Sequence, residues 1–167
     1  LPRANTTNVI IPTLIHLFLL SLSQSQVTED NNYRCTLDDV KEWEMKNGRI
    51  PDGAIMLLNT GWSDRYPNKS LIFNSQQYDD PSTYTFPGWH EDAAQWLLDE
   101  RKIKALGGDT PSFDYGMSTT FPVHRLILGK GIVGLENVAN LDEVPESGSM
   151  VFLRYLSCLM AVVVRPV

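Results

Sequence analysis

The alternation of short apolar runs with helical patterns is the feature that most constrains how this chain can fold. Three runs, at 54–58, 103–106 and 132–135, have the length and composition of buried strands. Apolar residues at helical spacing over 89–102, and again over 122–128, separate them. With 167 residues, the chain is long enough to bury a sizeable core. The sequence therefore predicts a domain of the mixed α/β class.

The charge of the chain limits the classes of partner. Its formal net charge is -6, and neither lysine nor arginine forms a run. Nucleic acids and anionic membrane surfaces bind clustered positive charge, so we expect neither as a partner.

A dense apolar run near the start, residues 9–22, stands outside that alternation. It is shorter than the roughly 20 residues that a stable membrane span needs. Three alternatives fit it: the apolar region of a secretory signal, translated sequence foreign to the domain, or a buried strand or helix. We predict a signal-like or non-family segment over 1–26 and a folded domain over 27–167. We expect secretion if the run is a signal peptide, and a cytoplasmic location otherwise.

The two cysteines, Cys35 and Cys158, form no C-x-x-C motif and indicate neither a metal nor a redox centre. We interpret them as unpaired thiols, with a disulfide between them as the alternative.

A long polar stretch, residues 63–86, lies between two of the predicted elements. Loops of this length in compact domains are usually functional or disordered, and its aromatic residues favour an ordered one. At the end of the chain, residues 150–155 and 159–164 are predicted to form a pair of strands.

Polar residues crowd the turn that follows the predicted strand at 103–106. Asp109, Ser112 and Asp114 place two carboxylates and a hydroxyl there, and strand ends in mixed folds are common places for a site. The alternative is turn capping, in which Asp and Ser side chains bind nearby backbone amides. No G-x-S-x-G surrounds Ser112, so serine catalysis is not indicated.

His124 and Glu136 are separated by a short predicted helix, a glycine turn and a strand. That arrangement allows the chain to fold back and bring the two side chains together. Imidazole with carboxylate suits zinc or manganese, whereas an ordinary surface pair is the alternative on spacing alone. His16 and His90 are interpreted as residues without a ligand role.

Six motifs occur in order between residues 27 and 167. They are G-W at 61–62, P-G at 87–88, A-A-Q-W-L at 93–97, G-D-T-P-S-F-D at 108–114, F-P-V-H-R at 121–125 and L-E-N-V-A-N-L at 135–141. Together they resemble the C-terminal portion of the putative cyclase family, which includes bacterial-type kynurenine formamidases and isatin hydrolases.

The resemblance implies a swivelling β/β/α (cyclase-like) fold, incomplete here at the N-terminus. It implies a zinc- or manganese-dependent hydrolase of a small-molecule amide or cyclic amide, usually a homo-oligomer. His124 and Glu136 match the metal ligands of the family, and Asp109, Ser112 and Asp114 become residues that surround and orient those ligands. The activity to expect is of arylformamidase type, converting N-formylkynurenine to kynurenine and formate in tryptophan catabolism.

The chain departs from the family where the catalytic histidines should be. The motif H-x-G-T-H-x-D is absent, so the catalytic residues are unknown. A catalytic zinc needs about three protein ligands, and the matched motifs supply two. The alternative function is therefore an inactive relative that acts as a binding or oligomerising module. An unrelated secreted binding domain is a third hypothesis, based on the signal-like start.

Overall fold

The computed structural model describes residues 16–156 and 159–166. Its strands are β1 (His16–Ser21), β2 (Arg34–Cys35), β3 (Ile55–Asn59), β4 (Gly88–Trp89), β5 (Ala105–Gly108), β6 (Val133–Leu135), β7 (Ser149–Leu156) and β8 (Leu159–Pro166). Its α-helices are α1 (Gln24–Glu29), α2 (Leu37–Asn47), α3 (Lys69–Ile72), α4 (Glu91–Arg101) and α5 (Pro122–Gly129). The predicted mixed α/β class is confirmed.

The main sheet has six strands in the order β6-β5-β3-β1-β7-β8. The first four are parallel, and β7 and β8 continue the sheet antiparallel beyond β1. A parallel two-stranded sheet, β2 with β4, lies apart from it. Because the carboxyl ends of parallel strands lie at one edge, the residues after β3, β5 and β6 are brought close together.

The apolar run near the start supplies β1, which lies between β3 and β7 inside the main sheet. Leu17 and Leu19 are fully buried, so this part of the run is used as a buried strand, the third alternative above. The boundary expected between residues 26 and 27 falls inside α1, whose N-terminus is closed by a capping box from Ser23. Residues 1–15, also part of that predicted segment, lie outside the described residues.

Helix α2 begins with a capping box. The Thr36 hydroxyl accepts the amide of Asp39, and the Asp39 carboxylate accepts the amide of Thr36 at 2.7 Å. The helix ends at Gly48, whose φ of 91° suits a residue without a side chain.

The sheet buries apolar residues on both faces. One face packs against α2, α4 and α5, with Val40, Leu97 and Ile127 among the buried side chains. The other face contains alternate residues of β1 and β3 and is covered by the chain after β6, including Leu141. Parallel strands buried on both faces are almost continuously apolar, as β3 is.

The strand predicted at 103–106 is observed as β5, Ala105–Gly108, two residues further along the chain. It includes Gly107 and Gly108. A Cβ on Gly107 would lie 2.0 Å from the carbonyl oxygen of Leu135. Glycine there lets β5 and β6 approach closely, which sequence periodicity does not register.

The long loop at 63–86 is ordered, as predicted, and contains α3 and two short 3₁₀ helices. Trp62 anchors its start: the ring is buried, and its indole nitrogen donates to the carbonyl of Ile72 at 2.7 Å.

The predicted C-terminal pair of strands is confirmed as the β7–β8 hairpin. Cys35 is buried in the core, where burial raises the pKa of its thiol well above the ordinary value, and Cys158 lies outside the described residues. Within residues 16–156 and 159–166, no helix has the length and apolar character needed to cross a membrane.

Candidate metal centre

The candidate site lies at the carboxyl edge of the parallel strands, where the N-terminus of α5 faces the end of β6. His124 is in the first turn of α5, and Glu136 directly follows β6. Their side chains meet, with 3.1 Å between His124 Nε2 and Glu136 Oε1. The folding back of helix, glycine turn and strand that the sequence predicted is therefore observed.

Asp114 holds the other side of the His124 ring. Its Oδ2 lies 2.7 Å from His124 Nδ1, and its side chain is only 1% exposed. The same carboxylate accepts the backbone amides of Val123 and His124, each at 3.0 Å. The single carboxylate of Asp114 thus neutralises the positive end of the α5 dipole and also holds the imidazole in position.

This hydrogen bond determines which imidazole nitrogen is free. Because Nδ1 faces Asp114, Nε2 is the nitrogen that faces the Glu136 carboxylate. A ring nitrogen and a carboxylate oxygen 3.1 Å apart share a proton or, in its place, a cation. Ligands bonded to zinc at about 2.0–2.1 Å in a tetrahedral arrangement lie about 3.3 Å apart, close to the observed spacing.

The two residues therefore fit as part of a divalent-metal site. A carboxylate on the far nitrogen of a ligating histidine is the usual arrangement around such ions. Within the described parts of the chain, no group of three or more His, Cys, Asp and Glu residues could hold a metal. Among those residues, His124 and Glu136 could therefore offer an ion two side-chain ligands.

Glu136 is only partly withdrawn from water, with 34% of its side chain exposed. Burial raises the pKa of Glu136 above its ordinary value, and the facing His124 lowers it by a smaller amount. A partly buried carboxylate without a fully compensating partner favours binding a proton or a metal ion.

Two aromatic rings flank the imidazole. Phe113 stacks on His124 with ring centroids 3.7 Å apart, and Phe121 contacts it edge-on at 5.7 Å. Gly134 in β6 leaves room for the stacked ring, since a Cβ there would lie 2.5 Å from Phe113. The imidazole is thus held by a hydrogen bond in its plane and by a ring on its face.

The structure separates the three residues that were predicted to surround the ligands. Asp114 contacts His124 directly, and the Ser112 hydroxyl accepts the amide of Asp114 at 3.1 Å. Asp109 points elsewhere: its carboxylate accepts the Thr60 hydroxyl at 2.9 Å and the Trp62 amide at 2.8 Å. Asp109 joins the ends of β3 and β5, and burial raises the pKa of its carboxyl.

Sequence reasoning missed two residues that extend the site. The left-handed Asn137, with φ 54°, directly follows Glu136, and its amide donates to the carbonyl of Thr110. Tyr66 from the long loop donates its hydroxyl to Asn137 Oδ1 at 2.9 Å. The contact joins positions 71 apart, so no local pattern indicates it; an asparagine beside a predicted ligand was the available signal.

The structure gives the class of this protein: a mixed α/β domain whose parallel sheet carries a His–Glu pair at its carboxyl edge. Comparison with known sequences gives the family. Residues 3–115 match the putative cyclase family. The chain belongs to that family.

The similar proteins are isatin hydrolases. The chain is 30% identical over 125 residues to isatin hydrolase of Roseibium aggregatum, covering 72% of this chain and 46% of the relative. It is 30% identical to isatin hydrolase A of Ralstonia solanacearum, with a TM-score of 0.73, covering 85% of this chain and 54% of that one. A crystal structure of an isatin hydrolase bound to the product analogue thioisatinate shares the fold, with a TM-score of 0.80 at 24% identity, over 91% of this chain and 60% of that one.

These likenesses confirm the predicted cyclase-like fold. The chain spans about half the length of the relatives that it matches.

Proposed function

We propose that this chain is part of a metal-dependent hydrolase of aryl amides, and that His124 and Glu136 bind its divalent ion. The observation that carries the proposal is the 3.1 Å approach of His124 Nε2 to Glu136 Oε1, with Nδ1 held by Asp114. Membership of the putative cyclase family, with isatin hydrolases as relatives, supports the reaction class.

Zinc or manganese bound there would polarise the amide carbonyl and lower the pKa of water. The chain's own residues have supporting tasks. Asp114 keeps the proton on Nδ1 of His124 and the lone pair of Nε2 directed at the ion, and Phe113 restrains the ring. Glu136 contributes a negative charge in a partly dry setting, where it is less screened than in water.

Two substrate types follow from the proposal. The sequence resemblance gave an arylformamidase that cleaves N-formylkynurenine to kynurenine and formate, as in tryptophan catabolism. The relatives support a cyclic aryl amide such as isatin equally well. Both substrates carry a planar aryl ring beside the scissile amide, and we propose that shared feature as the substrate class.

Hydrolysis assays test the proposal directly. The purified chain with added zinc or manganese is given isatin and N-formylkynurenine separately, beside the His124→Ala variant. Turnover of either substrate that the variant loses supports the proposal and identifies the better amide. Folded chain without turnover of either under any divalent ion would contradict it.

That second outcome would favour the alternative, an inactive relative acting as a binding or oligomerising module. The observation behind this alternative is that the described residues supply two ligands rather than three. Assembly as a homo-oligomer remains a prediction under both functions, and sedimentation of the purified chain measures it.

A further inference from the structure

Phe121 has an unusual backbone conformation for its residue type. With φ 48° and ψ 54° it is left-handed, a conformation that is uncommon outside glycine, asparagine and aspartate and is strained for a bulky residue. It precedes Pro122, which disfavours helical backbone in the residue before it. It also occupies the N-cap of α5, where a phenyl ring cannot accept the free amides as Ser, Asn or Asp would.

The surroundings hold this backbone in place. The Phe121 amide donates to the hydroxyl of buried Ser118 at 3.2 Å, and its carbonyl accepts the amide of Arg125 at 3.0 Å. Glycine or asparagine would satisfy the same two hydrogen bonds with less strain. The choice of phenylalanine at this position therefore needs a reason in its side chain.

The ring gives little to the core. It is 48% exposed, in contrast to Phe113, which is buried on the face of the same imidazole. Its contact is an edge-on approach to His124, with centroids 5.7 Å apart and an interplanar angle of 85°. A strained residue thus presents an exposed aromatic surface next to the His124–Glu136 pair, and strain of this kind concentrates at functional sites.

We propose that the Phe121 ring is the apolar wall against which the aryl ring of the substrate packs while the amide lies at the His124–Glu136 pair. This inference rests on the proposed function and adds a substrate-contact residue to it. Contact between two aromatic rings stabilises a complex beyond the burial of apolar area alone, so the ring discriminates aromatic from aliphatic ligands.

Ligand binding measured without turnover tests this role. Thioisatinate is titrated into the manganese-loaded chain, into Phe121→Ala, and into the control Leu128→Ala, which removes an equally exposed apolar side chain at the other end of α5. We expect about tenfold weaker thioisatinate binding in Phe121→Ala and an unchanged affinity in the control. Pyruvate, an aliphatic ligand with a carboxylate, should bind the parent and Phe121→Ala equally.

A second readout separates substrate contact from positioning of His124. The manganese affinity of Phe121→Ala should stay within about twofold of the parent if the ring faces substrate. A parallel loss of manganese affinity would overturn the inference, because the ring would then only orient the ligand. Unchanged thioisatinate binding in Phe121→Ala would also overturn it, while a parent that binds no thioisatinate would contradict the proposed function as well.

The strain is measured by the pair Phe121→Gly and Phe121→Ala, which both remove the ring. The glycine variant should melt about 2–4 °C higher. Lys102, left-handed with φ 51° at the end of α4 and outside the site, provides the matched pair Lys102→Gly and Lys102→Ala with the same expected difference. A difference at residue 102 but none at residue 121 would overturn the inference.

Discussion

Two pairs of a glutamate with a basic side chain differ in how fully the carboxylate is hydrogen-bonded and how far it is exposed. Glu44 of α2 receives Arg101 of α4 through two hydrogen bonds, at 2.6 and 2.7 Å, and also accepts the amide of Ile50 at 2.8 Å. Glu136 faces His124 at 3.1 Å and also accepts a backbone hydrogen bond from Phe113. The side chains of the first pair are 12% and 14% exposed, and those of the second 26% and 34%.

The two glutamates respond with opposite pKa shifts. The hydrogen bonds from Arg101 lower the pKa of Glu44, whereas burial raises the pKa of Glu136. The Glu44 carboxylate, with both oxygens paired to Arg101 and one also to Ile50, ties α2 to α4. The Glu136 carboxylate, which is less fully paired, faces an imidazole nitrogen and reaches water, is better suited to bind an ion.

The largest expected effect separates the two pairs by stability. Glu44→Gln leaves the Arg101 guanidinium poorly paired in a largely dry site, and we expect a loss of about 3 kcal/mol in the free energy of unfolding. Urea denaturation measures it. Metal affinity of the folded protein should be unchanged, and a loss of affinity would break the distinction between the two regions.

Asp114→Asn should lower both the free energy of unfolding and the affinity for a divalent metal ion. The amide keeps the shape of the side chain but loses the charge that faces the amides of Val123 and His124, at a cost of about 2 kcal/mol in the free energy of unfolding. Because it also weakens control of the His124 tautomer, we expect divalent-metal affinity to fall about 10- to 100-fold. A variant that is destabilised but binds metal normally would mean that Asp114 only caps α5 and does not position His124 for metal binding.

Gly134→Ala tests the stacking beneath the imidazole. The new methyl group would collide with the Phe113 ring, and overpacking of this kind typically costs about 1–3 kcal/mol. The ring should move against His124 and weaken metal binding. The comparison variant is Gly129→Ala, where a Cβ meets no atom within 4 Å and neither stability nor metal affinity should fall.

The smallest expected effect is the contribution of the Glu44–Arg101 pair to the pH dependence of the free energy of unfolding. The folded pKa of Glu44 lies below its unfolded value of about 4.3, so its contribution is complete above that pH and is lost as the pH falls through the folded pKa. Unfolding free energies at pH 7 and pH 3.5 should therefore differ less in Glu44→Gln than in the parent. Equal differences in the two proteins would mean that Glu44 does not contribute to acid sensitivity.

Local patterns predicted the elements whose signals are local. The strand at β3 and the pair of strands at the chain end both follow from neighbouring residues. The run at 9–22 was ambiguous because an isolated apolar run fits a signal, a helix or a strand equally well. The strands that pair with β1 begin near residues 55 and 149, and only the sheet reveals them.

The same limit explains the candidate site. His124 and Glu136 were found through motifs, and the structure brings them together. Asp109 and Asp114 share one turn and one residue type, and no local rule tells which of them faces the imidazole. The end of β3 decides it, because Thr60 and Trp62 bind Asp109 and leave Asp114 to α5.

Calorimetric titration with zinc and manganese tests the central claim most directly. The parent chain is compared with His124→Ala and Glu136→Gln, and with His90→Asn, which alters a histidine outside the site and keeps a side chain suited to the N-cap of α4. The account predicts binding that weakens at least tenfold in the first two variants and is unchanged in the third. Equal affinity in all four proteins, or no binding by the parent, would contradict the assignment of His124 and Glu136 as metal ligands.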